Sequence, residues 1–526
     1  MNKAVLRNIT DWLKENWIYL VIFVILLVLR IIAIDTKTSF FFDDVASFNA
    51  STPNNTFTQG VKYKYSWADI RFEHGKNYKA YEVKKLLFES KPNLKSICKD
   101  LATLHSETLD RQHPNLYYSI LRVWSSGVDY SDANALKWRG CSLNLIFFAF
   151  SFFFMFKLLN LIKPEKKFIA LGLFFAFVST GAISNTLLIR PYPLMEVFFT
   201  FALYYLVVMY KAAGQNINFT KKQIILYSLG ICGFLLINYY SMLLLALIFI
   251  AISCRCFQTD DIKTLKTMTL TYGLAIVLTL LFCPLYLENF KNIEHMPETK
   301  DAATLSNFLD FHWYGLYLFE ILSKFVFYNI VMYIILFAMA IVGIPVFNDK
   351  KFSKEETKYF ALICMGSFLW AYLICTICPF HEYPASRYVI ACVPIFGLLL
   401  GMINYRLRIQ YLVISIIITL IASFVPARFD ITAFNSKYKN FGVISFFKDF
   451  EYFNINKDVN RKDGSKRPVV IANRNWIWPN YIVNLDNDTI IRFEDNVPPK
   501  NYVFKDYVLI NTEDVSVVRN RNNYAK

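Results

Sequence analysis

Asp43 and Asp44 stand side by side a few residues after residues 17–34, an apolar run long enough to cross a bilayer. A carboxylate can take the proton of an attacking hydroxyl or amine. Two adjacent ones raise the proton affinity of at least one of them, or recruit a divalent cation. The same dipeptide ahead of Val45-Ala46-Ser47-Phe48 can equally serve to start a surface helix. Arg190, in Leu188-Ile189-Arg190-Pro191-Tyr192-Pro193, and Arg387, in His381-Glu382-Tyr383-Pro384-Ala385-Ser386-Arg387-Tyr388, each stand where a connection meets an apolar run. A guanidinium there grips a phosphate through two parallel hydrogen bonds, or else snorkels to lipid headgroups. His113 and His381 are candidate hydrogen-bond donors or metal ligands, and Glu382 is the neighbour of His381. No His/Glu pair has helical ligand spacing, so the metal is unknown, and a divalent cation is the one cofactor left open. An acidic pair with two arginines suits a substrate that has a phosphate leaving group and a nucleophile needing deprotonation. That is a transfer reaction.

The elements that would position these groups are membrane spans. Of 526 residues, 55% are apolar, 17% aromatic and only 18% charged, with a mean hydropathy of +0.34. This describes a polytopic membrane protein and excludes a large soluble one. The formal charge of +16 sits at the ends of apolar runs, without a basic stripe and interleaved aromatics, so nucleic acid is excluded as a partner. Most of the ten cysteines fall inside apolar segments as small hydrophobes. Cys375-Thr376-Ile377-Cys378 has redox or zinc spacing but no second pair, and is read as incidental. Residues 17–34 lack a following small-residue cleavage site and are read as a retained anchor.

The distribution of lysine and arginine orients the chain. Residues 1–16 are basic and therefore cytoplasmic, and so is the cluster Lys157, Lys163, Lys166 and Lys167 after the run 139–162. Residues 35–138 then form a large outer loop. Within it, Leu94, Ile97, Cys98, Leu101, Leu104 and Thr108 predict an amphipathic helix along the membrane or under the loop. The stretch from His113 to Gly127 is too short to span and is expected to be juxtamembrane or re-entrant. Further spans are expected at 168–185, 193–210, 223–239, 241–256, 268–287, 323–347, 358–378, 388–404 and 410–426, which makes about eleven. Each connection assigned to the inside is basic. After Pro426 apolar residues alternate with Asn, Asp and Lys, as in Pro468-Val469-Val470-Ile471 and Tyr502-Val503-Phe504. The expected class is mainly α: a transmembrane domain over 1–426 that includes the outer loop, and a small extracytoplasmic α/β domain over 427–526.

Glycine-rich phosphate loops, dinucleotide fingerprints and nucleophile elbows are missing. A donor activated by a lipid phosphate accounts for chemistry placed beside a bilayer. The order of motifs carries a resemblance: the acidic pair in the first outer loop, His113-Pro114-Asn115-Leu116-Tyr117, Arg190-Pro191-Tyr192, Asn238-Tyr239-Tyr240, and Ser386-Arg387-Tyr388-Val389 opening a late span. From about residue 17 to 426 the chain resembles the GT-C superfamily of integral-membrane glycosyltransferases, in particular the protein O-mannosyltransferase and lipid A aminoarabinose transferase branch. The resemblance implies a polyprenyl-phosphate sugar donor, an extracytoplasmic acceptor that is a glycan, lipid or protein, and an inverting reaction in the plasma (inner) membrane. It implies Asp43 or Asp44 as base or metal ligand, and Arg190 and Arg387 as ligands of the donor phosphate. Tyr192, Tyr388, His113, Tyr239, Tyr240, His381 and Glu382 would line the substrate site. Asn115 departs from the family's commoner His-Pro-Pro-Leu, and Asp-Asp from its commoner Asp-Glu. Two other function classes fit a many-span chain: a transporter or lipid-linked glycan flippase, and a ligase or polymerase that moves a whole glycan.

Overall fold

The structure is a computed structural model that describes residues 3–37, 40, 42–54, 72–106, 113–215, 217–288, 330–377, 385–424, 455–472, 478–494, 496–498, 502–504, 506–511 and 514–519. The expectations for His381, Glu382 and Cys378 lie outside these residues. The side chains of Asp43, Cys375, Arg387 and Tyr388 are likewise not described. The chain divides into two compact units: Met1–Asp35, Arg111–Pro114 and Asn144–Phe446 form the first, and Thr36–Asp110, Asn115–Leu143 and Phe447–Lys526 the second.

The first unit is helical. Its helices are α1 (Lys3–Thr36), most of α6 (Ala133–Ile162), α7 (Lys166–Val178), α8 (Thr180–Leu187), α9 (Tyr192–Ala212), α10 (Lys221–Leu235), α11 (Ser241–Gln258) and α12 (Ile262–Phe282). Then come α13 (Ile330–Ile341), α14 (Lys354–Ile377), a 3-10 helix (Ala385–Cys392), α15 (Val393–Arg406) and α16 (Ile409–Phe424). Among the described residues seven segments are long and apolar enough to cross a membrane, and the α7–α8 pair, taken as one span, makes an eighth. The other three expected spans coincide with the shorter helices α10, α13 and α16. The protein is a multi-pass membrane protein.

At the centre of this unit α7 and α15 are buried almost all round. Their close approach depends on glycine: a Cβ on Gly397 would sit 2.1 Å from the Phe175 carbonyl oxygen, and one on Gly401 3.0 Å from the Gly172 Cα. Small residues let helix backbones approach where lipid gives no hydrophobic drive to association. Exposed apolar side chains instead stud outer helices, such as Val24, Val28 and Ile32 of α1 and Ile276, Val277 and Leu281 of α12.

Two expected spans are corrected in shape. Residues 168–185 are a pair of helices bent by 57°. Ser179 adopts an extended conformation, and its hydroxyl accepts the Ala182 N–H at 3.2 Å to start α8. The run 388–404 opens instead as the 3-10 helix before α15 begins.

The second unit holds a five-stranded sheet of order β1-β3-β2-β4-β5, from β1 (Asn77–Lys79), β2 (Val469–Ala472), β3 (Ile490–Glu494), β4 (Asp506–Asn511) and β5 (Asp514–Arg519). The central β3, β2 and β4 are parallel and the edges antiparallel. Val469-Val470-Ile471-Ala472 is buried on both faces, as a continuous apolar strand inside a parallel sheet must be. Tyr502-Val503-Phe504 is not a strand. Tyr502 and Phe504 pack against Val470, Ala472, Tyr507 and Leu509 while Val503 is exposed, so the alternation marks a covering loop.

The sheet takes its first edge from the outer loop, since Asn77–Lys79 pairs with Ile490–Arg492. Lys84, on α3 (Ala80–Phe88), extends that connection. Its ammonium donates to the carbonyls of Leu485 (2.6 Å) and Ser131 (3.3 Å) and to Asn487 Oδ1 (3.2 Å). The expected amphipathic helix is α4 (Leu94–Ser106), where Leu104 and Asp100 are buried while Leu94 and Cys98 are exposed. The stretch after His113 is α5 (Leu116–Trp124), and its Arg122 is tied inward. Arg122 Nε meets Asp100 Oδ2 at 2.5 Å, and its other donors reach Ser90, Ser126, Ser96 and the Lys91 carbonyl. With that many partners it is a structural strut.

Candidate active site

The break between α7 and α8 shapes the approach to Arg190. In hydrocarbon a freed carbonyl must find a donor within the protein. Arg30, fully buried on α1, supplies one: Nη2 donates to the Phe177 carbonyl at 3.1 Å and the Ala182 carbonyl at 3.3 Å. Nη1 meets the Leu26 carbonyl, and the guanidinium lies 3.8 Å above the Phe148 ring. Asn144 on α6 closes the far end of α8 by donating to the carbonyls of Thr186 (3.0 Å) and Leu188 (2.7 Å). The turn 188–191 is therefore fixed from both sides. Arg190 stands in it, buried, two residues ahead of α9.

Three of the sequence motifs meet at this end of α9. His113 is fully buried, with its ring edge-on to Tyr192 at 5.8 Å and Nδ1 3.3 Å from the Ile237 carbonyl oxygen. A carbonyl only accepts, so Nδ1 carries the proton. Directly after Ile237, Asn238 Oδ1 accepts the Tyr240 N–H at 2.8 Å, an Asx turn that ends the expected span 223–239 early. Tyr239 is buried against Tyr286 with centroids 4.9 Å apart, and the Tyr240 carbonyl accepts from Trp370 Nε1 at 3.0 Å. Trp370, on α14, packs on Phe199 of α9. The 3-10 helix that carries the backbone of Arg387 and Tyr388 packs against α9 and α14, and Cys392 Sγ donates to the Ser367 carbonyl. A histidine, an arginine, several tyrosines and the backbone of a second arginine are thus gathered within one unit.

The acidic pair belongs to the second unit, at the start of α2 (Phe42–Ser51). Asp44 is fully enclosed and forms an ion pair with Lys37, Oδ2 to Nζ 2.5 Å, both side chains without solvent exposure. Lys137 Nζ donates to the Lys37 carbonyl at 3.1 Å. Among the described residues no three His, Cys, Asp or Glu gather into a metal-ligand set.

Sequence reasoning missed two further groups. Glu196, on α9 one turn after Tyr192, is buried and accepts from Asn185 Nδ2 at 2.9 Å. It is the sole acidic residue of an otherwise apolar span, which is signal enough by itself. Lys37, which holds Asp44, had no signal beyond its place at the end of α1.

No protein-family profile and no curated protein matches the chain. Among solved structures the chain is similar to the archaeal oligosaccharyltransferase AglB from Archaeoglobus fulgidus in complex with an inhibitory peptide and a dolichol-phosphate, with 11% identity and a TM-score of 0.43. The apo form of the Archaeoglobus fulgidus oligosaccharyltransferase gives 10% identity and a TM-score of 0.40. Either match covers 92% of this chain and 65% of the other.

Proposed function

We propose that the chain is a GT-C-type glycosyltransferase that moves a sugar from a polyprenyl-phosphate donor to an extracytoplasmic glycan, lipid or protein acceptor, with inversion. The observation that carries this is the meeting of His113, Tyr192 and the Ile237–Tyr240 turn at one end of α9, beside the buried Arg190, with the 3-10 helix of Arg387 packed against the same α9. A buried guanidinium beside hydrogen-bonding side chains suits a phosphate whose charge grows as it leaves. In the proposed reaction the acceptor gives its proton to a carboxylate of the Asp43–Asp44 pair and attacks the sugar C1 in line. The C1–O bond to the lipid phosphate breaks, and Arg190 and Arg387 meet the phosphate's developing charge. A carboxylate already held by an ammonium is a poor proton acceptor, so Asp43 is assigned the proton and Asp44 the scaffold.

The test is incubation of the purified chain with a polyprenyl-phosphate monosaccharide and, separately, a polyprenyl-linked oligosaccharide, with released polyprenyl phosphate and acceptor mass as readouts. Transfer from the first and not the second is expected, and Arg190→Ala should weaken donor affinity. Turnover of the oligosaccharide donor alone would favour the ligase. The buried Arg30 and Glu196 inside spans are what a translocation pathway would also need. A transporter would move the lipid-linked donor across the bilayer with its glycosidic bond intact.

A further inference from the structure

At the other end of α9 a second polar feature has no part in this chemistry. A cleft of about 350 Å³ opens between the C-terminal ends of α9 and α11 and the first turns of α14. Its lining includes Lys211, Arg255 and Lys358 against a single carboxylate, Glu355. Tyr359 donates its hydroxyl to Glu355 Oε2 at 2.6 Å, so that carboxylate is already engaged. Two cations share one ring: Lys358 Nζ and Arg255 Cζ lie 5.0 Å and 5.6 Å from the centre of Tyr210. Lys211 lies 5.0 Å from the centre of Tyr359 and donates to the Leu161 carbonyl at 2.6 Å. Arg255 Nε is buried without an acceptor among the described residues.

The helix dipole explains part of this grouping. Lys211 and Arg255 lie in the last turns of their helices, where the dipole favours cations. Lys358 does not fit that explanation: it stands near the N-terminal end of α14, where a cation is disfavoured, and it shares the Tyr210 ring with Arg255. Three cations beside aromatic walls, around a cleft whose lining holds one carboxylate, leave an excess of positive charge that an anion among them would stabilise. The mouth is shaped by a turn whose Gly214 has φ of +87° and whose amide donates to Asp261 Oδ2, and a Cβ there would meet Thr259 at 3.0 Å.

We propose that this cleft binds a phosphate-bearing anion, with the Arg255 fork and the Lys358 and Lys211 ammonium groups as its ligands. A planar fork and two point charges match the oxygens of a phosphate monoester or of a lipid phosphate headgroup, and a volume of about 350 Å³ holds such a group. The basic connections assign this end to the cytoplasm, and α9 with its 21 residues puts the cleft about 30 Å from the His113 cluster. It is a separate site.

Two arms test it on the full chain. In one, inorganic phosphate is titrated onto detergent-purified protein at matched ionic strength and read as a thermal shift. In the other, the chain in nanodiscs of phosphatidylcholine with or without phosphatidic acid is examined by native mass spectrometry for retained lipid. Saturable binding is expected in at least one arm, about tenfold weaker or more in Arg255→Ala and Lys358→Ala. It should be unchanged in Lys263→Ala, an exposed lysine outside the cleft. Arg255→Lys keeps the charge and the ring contact but loses the fork, so it should lose less, and it decides the matter if Arg255→Ala does not fold. Binding in the first arm alone names a soluble phosphate, and in the second alone a headgroup. No saturable binding in either arm, or equal loss in Lys263→Ala, overturns the proposal.

Discussion

Replacing Asp44 by asparagine keeps the shape of the side chain and removes its charge. The Lys37 ammonium is then left with no solvent exposure and no carboxylate from Asp44, while Lys137 brings a second ammonium to the Lys37 carbonyl. Removing one partner of a buried ion pair costs about 3–5 kcal/mol, and Asp44→Asn is expected to fall in that range. Lys37→Met should cost a comparable amount by removing the ammonium that pairs with the carboxylate. Replacing both, as in Lys37→Met with Asp44→Asn, removes both charges together and should return most of the loss. The assay is thermal unfolding of the purified chain in detergent, taken through the full double-mutant cycle, with transfer per folded molecule measured well below the melting range. Asp44→Asn should melt early yet keep its turnover, whereas Asp43→Asn should melt normally and lose roughly 10²- to 10⁴-fold in rate. An Asp44→Asn variant as stable as the parent, or a double variant as unstable as the two singles added, would refute the structural role of the pair. Loss of turnover in folded Asp44→Asn would move the base to that residue.

The remaining outcomes concern the frame around the site. Burial, partly offset by Asp486, Asp132 and Asp129, pushes the Lys84 ammonium down to about 8. Its folded value is therefore below its unfolded one, so the unfolded chain binds more protons between about pH 8 and 10.5 and stability should rise with pH across that window. The full shift corresponds to about 3 kcal/mol, read as the difference in melting temperature against pH between the parent and Lys84→Met. Gly397→Ala drives a methyl against the Phe175 carbonyl and should cost several kcal/mol or prevent folding, whereas Gly273→Ala, with open space around it, should be tolerated. Arg30→Met removes the donor for the Phe177 and Ala182 carbonyls and should cost about 2–5 kcal/mol, with Arg30→Lys recovering only part because it lacks the fork; unfolding midpoints in detergent decide both cases.

Apolar run length and the positions of lysines made the helices legible, because a bilayer requires about twenty consecutive apolar residues and charge sorts the connections. Each expected span overlaps a described helix or helix pair, but the described lengths of α10, α13 and α16 are shorter than the runs that predict them. The break inside 168–185 was not legible: Phe-Val-Ser-Thr-Gly reads as continuous helix, and what ends it is a guanidinium nearly 150 residues earlier in the chain. The edge strand β1 was hidden for a similar reason. Three residues, Asn77–Lys79, carry no strand pattern, and their pairing with Ile490–Arg492 is entirely non-local. Arg190, His113 and Tyr239 stood out because polar residues at span ends are costly to bury. Lys37 did not stand out, since a lysine just past a span ordinarily faces headgroups, and here Asp44 seven residues on gives it a partner indoors.

The broken helix and the buried arginine explain each other. A straight α7 continued through Thr186 would need no side-chain donors, and Arg30 would then lose the use of Nη2, keeping the Leu26 carbonyl and the Phe148 ring. With the break, Ser179 satisfies the Ala182 amide and Arg30 satisfies the carbonyls on both sides of the bend. Asn144 then takes the last carbonyls of α8. Each of these groups would cost several kcal/mol if left unpaired in a span, so the bend is enforced locally and does not depend on a bound substrate. A short helix pinned at both ends just ahead of Arg190 is what the proposed phosphate ligand requires, because a guanidinium on a floppy connection would lose rotamer freedom on every binding event.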